Sequence, residues 1–128
     1  MNPINHTRRT LRQTLTALFA LLFTITAHAA PPANNNFASS TLISGASGTI
    51  AGTNLEATKE ANEPNHAGEP GGKSVWYRWT APTSALYRFD TEGSEFDTTL
   101  TVYSGTTLAN LAVEGSGRGA GVFYAATV

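Results

Sequence analysis

The chain has no cysteine. Disulfides, thiolate metal sites and thiol nucleophiles are therefore excluded. Small exported domains often depend on disulfides, so stability here must come from a core, a bound ion or a neighbouring chain. Histidine is scarce too: only His6, His28 and His66 occur. No apolar run is long enough to cross a bilayer. Residues 15–25, broken only by Thr16 and Thr24, number 11, whereas a membrane-spanning helix needs about 20. Beyond residue 30 no segment sustains a helical period. The Gly-x-Ser-x-Gly turn of serine hydrolases is also missing.

The short apolar run instead reads as the core of an export signal. Arg8, Arg9 and Arg12 form a basic region before it, and Ala27-His28-Ala29 supplies small residues two positions apart. Pro31 disfavours cleavage after Ala30, so cleavage is expected after Ala29. The expected location is secreted or periplasmic, with no membrane span after signal cleavage. Residues 7–11, Thr-Arg-Arg-Thr-Leu, loosely resemble a twin-arginine signal. Both the general and the twin-arginine route stay open.

Signal removal changes the charge. Three of the eight basic residues precede residue 30, and all nine acidic residues follow it. Five basic residues then face nine acidic ones, a net charge of −4. This argues against nucleic acid and anionic membrane as partners. It suits a cation such as calcium.

The remaining chain of about 100 residues is enough for one small domain. Residues 30–36 form a polar leader, and Phe37 is the first large apolar residue after it. Residues 42–43 and 49–55 read as short strands separated by Gly45, Gly48 and Gly52. Residues 59–72 are a long loop carrying Pro64, Pro70, Gly68, Gly71 and Gly72. Residues 74–80 are the clearest strand: Val75, Tyr77 and Trp79 fall on one face, Trp76, Arg78 and Thr80 on the other. Aromatics on both faces predict a central strand, with at least one tryptophan in the core. Residues 85–89 and 98–103 follow as strands. Residues 114–121 read as a glycine-rich run, and residues 122–128 are β-prone again. Many short strands between turn signals predict an all-β domain, an antiparallel β-sandwich, over residues 37–128. The pattern does not separate a jelly roll from an immunoglobulin-like topology.

The chemistry-bearing residues are few. Glu60, Glu63, Asn65 and His66 crowd the long loop. Carboxylates and amide carbonyls suit Ca²⁺, which takes about six to eight oxygen ligands. Glu60, Glu63, Asn65 and Asp97 are the candidate calcium ligands, with Glu56 and Asp90 as possible additions. The competing reading is a solvated loop ordered by its own turns. A zinc site on His66 lacks partners, since His6 and His28 lie in the signal. Asp97 suits a turn-fixing role before its strand. Asp90, Glu92, Glu95 and Asp97 form an acidic cluster that a secreted hydrolase could use, although sequence places no carboxylate pair at a defined separation.

Four blocks carry a resemblance: Asn34-Asn35-Asn36-Phe37-Ala38; Ala57-Thr58-Lys59-Glu60 with Glu63-Pro64-Asn65-His66-Ala67-Gly68; Ser74-Val75-Trp76-Tyr77-Arg78-Trp79-Thr80-Ala81-Pro82; and Phe96-Asp97-Thr98-Thr99-Leu100-Thr101-Val102-Tyr103-Ser104-Gly105. Together they resemble the bacterial pre-peptidase C-terminal domain group over most of residues 34–113. The resemblance implies a jelly-roll-like β-sandwich module of the kind appended to secreted proteins, including peptidases. It implies a non-catalytic binding or accessory role, and calcium in some collagen-binding relatives. Similar domains continue into an acidic segment and two further strands. Here residues 114–121 replace the acidic segment, and the sandwich is expected to lack its last strand. The expected partner is an extracellular protein, a polysaccharide, or another domain completing the sheet.

Overall fold

The computed structural model describes residues 28–119, together with the backbone of residues 122–126. The export signal read over residues 1–29 lies outside the described residues, apart from His28 and Ala29.

The fold is mostly strand. In chain order the strands are β1 (Thr41–Ile43), β2 (Tyr77–Trp79), β3 (Leu86–Asp90), β4 (Thr98–Ser104), β5 (Ala112–Gly119) and β6 (Val122–Ala126). Two single 3₁₀ turns, Phe37–Ser39 and Leu108–Asn110, precede β1 and β5. The described strands pair two by two: β1 with β2, β3 with β6, and β4 with β5.

One pairing departs from the expected antiparallel pattern. β1 and β2 run parallel, with Thr41 opposite Tyr77 and Ile43 opposite Trp79. A parallel pair needs a crossover of a dozen or more residues. The long stretch between Ile43 and Tyr77, which includes the proline- and glycine-rich loop, provides it. The other two ladders are antiparallel.

Two segments behave differently from their sequence reading. Residues 49–55 form no strand. Gly52 instead gives room to a neighbour: a Cβ there would sit 2.0 Å from the Tyr77 hydroxyl. Residues 114–119 of the glycine-rich run, in turn, belong to strand β5. Thr98 to Ser104, rich in β-branched residues, provides its partner edge. Val102 pairs with Gly115 and Tyr103 with Val113, so Glu114 is the extra residue of a β-bulge.

Side chains alternate in burial along β3. Tyr87 and Phe89 are half-buried, while Leu86, Arg88 and Asp90 are exposed. Trp76 and Trp79 also face opposite ways, and each organises its own cluster. Trp76, 8% exposed, packs edge-on to Phe37 at 5.1 Å and to His66 at 5.4 Å, with Tyr103 at 6.1 Å. Trp79 packs edge-on to Tyr87 at 4.6 Å and to Phe89 at 5.4 Å. β2 thereby links the β4–β5 ladder on one side to β3 on the other.

Neither cluster is sealed: the buried Trp76 Nε1–H has no hydrogen-bond partner among the described residues. Trp76 and Ala57 are the buried apolar residues among those described. Leu42, Leu86, Phe96 and Val113 are each more than half exposed. The strands border an open trough of about 2270 Å³, lined by Trp76, His66 and Tyr103 of one cluster and by Trp79, Tyr87 and Phe89 of the other.

Candidate functional site

The leader is part of the domain rather than a tether. Asn34 is buried and bonds Trp76 twice: its Nδ2 donates to the Trp76 carbonyl at 3.1 Å, and the Trp76 N–H donates to its carbonyl at 2.9 Å. The Asn35 Oδ1 accepts the Thr58 N–H at 2.6 Å. The Phe37 N–H donates to Glu60 Oε2 at 2.6 Å. Short amide side chains can satisfy backbone groups where no ladder runs, which explains the asparagine-rich opening.

The long loop closes on the same knot. The Glu63 side chain is wholly buried. Its Oε2 accepts the Glu60 N–H at 2.8 Å, and its Oε1 lies 2.6 Å from His66 Nε2. A carboxylate can only accept, so Nε2 carries the hydrogen. His66 Nδ1 lies 2.8 Å from the Tyr103 hydroxyl. Glu63, His66 and Tyr103 thus form a continuous chain from the loop to β4, packed against Trp76. Burial pushes the Tyr103 phenol above its ordinary value; a Thr101 hydrogen bond opposes this, and the Glu63 charge adds to it.

The next turn of the loop is fixed from β4 and β5. Ala67 is left-handed, with φ of 49°, a conformation that costs a non-glycine residue about 1–2 kcal/mol. It is held there on both sides. Its N–H donates to Thr101 Oγ1 at 3.0 Å, and its carbonyl accepts from Arg118 at 2.9 Å. Arg118 also pairs with Glu69 at 2.5 Å.

These contacts decide what the expected calcium ligands can do. Glu60 Oε2 is taken by the Phe37 N–H. Both Glu63 oxygens are taken by hydrogen-bond donors. Asn65 Oδ1 accepts from the Lys59 ammonium at 2.9 Å, which places a positive charge where a cation would sit. Asp97, just before β4, is exposed and bonds to none of them. Among the described residues no three acidic or histidine side chains gather around a common metal-sized point. Glu60, Glu63 and Asn65 are thus each held by a hydrogen bond, and Asp97 stands apart from them.

The acidic cluster of residues 90–97 is arranged around a turn. Asp90 Oδ1 accepts the Glu92 N–H at 3.2 Å, and the Ser94 N–H closes onto the Thr91 carbonyl at 3.2 Å. Arg88 lies 3.4 Å from Asp90 and 3.8 Å from Glu92. The Thr91 and Thr98 hydroxyls bond each other and the Gly119 carbonyl. These threonines tie the turn to β5, the role the sequence suggested for Asp97.

The trough is the other candidate site. Trp79, Tyr87 and Phe89 line it from β2 and β3, Leu100 and Val102 from β4. Sequence reading placed Trp79 on one face of its strand but could not see that it packs against Tyr87 and Phe89 beside an open trough. It missed Tyr103, Thr101 and Arg118 as loop partners; the one available signal was a histidine in a loop otherwise short of anchors. No protein family, curated protein or solved structure matches the chain.

Proposed function

We propose that the chain is an exported, non-catalytic β-sandwich module that binds an extracellular macromolecule, in the manner of the pre-peptidase C-terminal domains it resembles. The observation that carries this reading is the contrast between the polar loop and the open trough. The polar residues of the loop are consumed in holding the fold, while the aromatic faces of β2 and β3 border an open trough. Concave, largely apolar surfaces of this kind are the usual setting of binding sites. Trp79 packing against β3 supports a sandwich-like opposition of ladders. The salt links of Asp90 and Glu92 to Arg88 favour a structural role for that turn over the hydrolase reading.

The test is cosedimentation of the exported protein with insoluble extracellular polymers, both polysaccharides and protein fibres. Chromogenic glycoside and ester substrates are assayed in parallel. Retention on a polymer without turnover is the expected result. Turnover that disappears in Asp90→Asn or Asp97→Asn would overturn the reading in favour of a hydrolase.

A further inference from the structure

The trough's rings are not arranged as a sugar platform. Stacking on sugar rings needs flat aromatic faces laid open side by side. Here the Trp79 ring stands at 74° to Tyr87 and 81° to Phe89, each edge against face. Such a cluster leaves clefts between rings, the shape that receives side chains rather than sugar faces.

The backbone beside those rings is unused. Among the described residues β2 is paired only with β1, and β3 only with β6. Each therefore keeps one edge without a ladder partner, and both strands line the trough. A free edge bordered by apolar clefts is the setting in which an extended peptide adds as a strand: the backbone supplies hydrogen bonds and alternate side chains enter the clefts.

Charge selects the occupant further. β3 ends at Asp90 and runs into the exposed turn with Glu92, Glu95 and Asp97. Arg88 is the one cation bonded there, against four carboxylates, and it reaches only Asp90 and Glu92. Glu95 and Asp97 make no ion pair among the described residues. All four line the trough. That end of the trough is left negative and favours lysine or arginine on the incoming chain.

We propose that the trough binds an extended polypeptide segment added to the free edge of β3, with alternate apolar side chains against Trp79, Tyr87 and Phe89 and basic side chains beside Glu95 and Asp97. This rests on the binding-module reading and narrows its partner to protein.

The experiment uses the full chain and follows tryptophan emission during titration. The probes are the peptide Lys-Thr-Val-Thr-Val-Thr-Lys, the same peptide with glutamate for both lysines, and the same peptide with proline for its central threonine. A soluble cello-hexasaccharide is the fourth probe. The lysine peptide is expected to bind at least fivefold more tightly than the glutamate peptide. Added salt should shrink that gap. The proline peptide, which lacks a backbone donor, should bind more weakly than the lysine peptide. Glu95→Gln with Asp97→Asn should bring the lysine and glutamate peptides within twofold, with circular dichroism unchanged. Equal binding of the two peptides by the unmodified protein would overturn the proposal. Saturable binding of the hexasaccharide with no peptide binding would overturn it and leave the binding-module reading standing. A folded protein that binds none of the probes and is retained on no polymer would remove both.

Discussion

His66→Ala should be among the most damaging single changes outside the apolar residues. Among the described residues the imidazole is the only side chain bonded to Glu63, whose own side chain has no exposed surface. Removing it leaves a buried carboxylate with a single backbone donor, the Glu60 N–H. Removing the donor from a buried carboxylate costs about 3–5 kcal/mol, as when one partner of a buried pair is lost, because the remaining charge is stranded. The His66 side chain keeps 16% of its surface in water, so the lower end, about 3 kcal/mol, is expected here. That is a large part of the ~5–15 kcal/mol stability of a typical domain. For a domain of this size it corresponds to a fall in Tm of roughly 12–24 °C. The assay is calorimetry on the single variants and the double variant. Glu63→Gln in the His66→Ala background should recover about 1–2 kcal/mol, since a neutral amide is cheaper to strand than a charge. A His66→Ala protein that melts within about 2 °C of the unmodified protein, a shift worth under ~0.5 kcal/mol, would refute the reasoning: the Glu63 carboxylate would then not be sealed.

Three further outcomes follow from the same contacts. Burial holds Tyr103 above its ordinary value, so its neutral form is favoured by folding. Its contribution is complete below about pH 10 and is lost as pH rises through the raised value; Tyr103→Phe should flatten that alkaline loss of stability in pH-dependent melting, while costing about 1 kcal/mol at neutral pH from the lost His66 bond. Saturating Ca²⁺ or a chelator should leave the Tm unchanged, because the loop oxygens are already bonded to N–H donors; a rise in Tm abolished by Glu60→Ala would restore the calcium site. Gly105→Ala should cost about 1–3 kcal/mol in chemical denaturation, since φ is +130° there and a Cβ would meet the Asn110 carbonyl at 2.7 Å, whereas Gly72→Ala, with open space around it, should stay within about 0.5 kcal/mol.

The strands were legible where side-chain alternation reports a buried face. Tyr87 and Phe89 alternate with Leu86 and Arg88 in sequence and in burial. Trp79 of β2 and Trp76 just before it could be placed on opposite sides for the same reason. Residues 112–119 could not, because glycine carries no side chain to alternate; only the partner β4 makes them a strand. The parallel pairing of β1 and β2 was hidden too, since three-residue strands carry no signal of direction. In the loop, residue type did not show the hydrogen-bond partners. Glutamates close in sequence read as cation ligands, and the donors to their oxygens were not visible. The donors that occupy them, the amides of Phe37 and Glu60 and the His66 ring, come partly from more than 20 residues away in the chain.

The central claim is a division of labour: a hydrogen-bonded knot of Asn34, Glu63 and His66 beside Trp76, and an open trough with unpaired strand edges beside Trp79. Hydrogen–deuterium exchange on the full chain, read at single amides, tests it most directly. The amides of Trp76, Ala57 and Glu63, bonded within the knot to Asn34, Asn54 and Glu60, should exchange slowest. The amides of β2 and β3 on the edges without a ladder partner should exchange at least a hundredfold faster. Equal, slow exchange in both places would mean the trough is a closed core with no edge to offer, and would contradict the account.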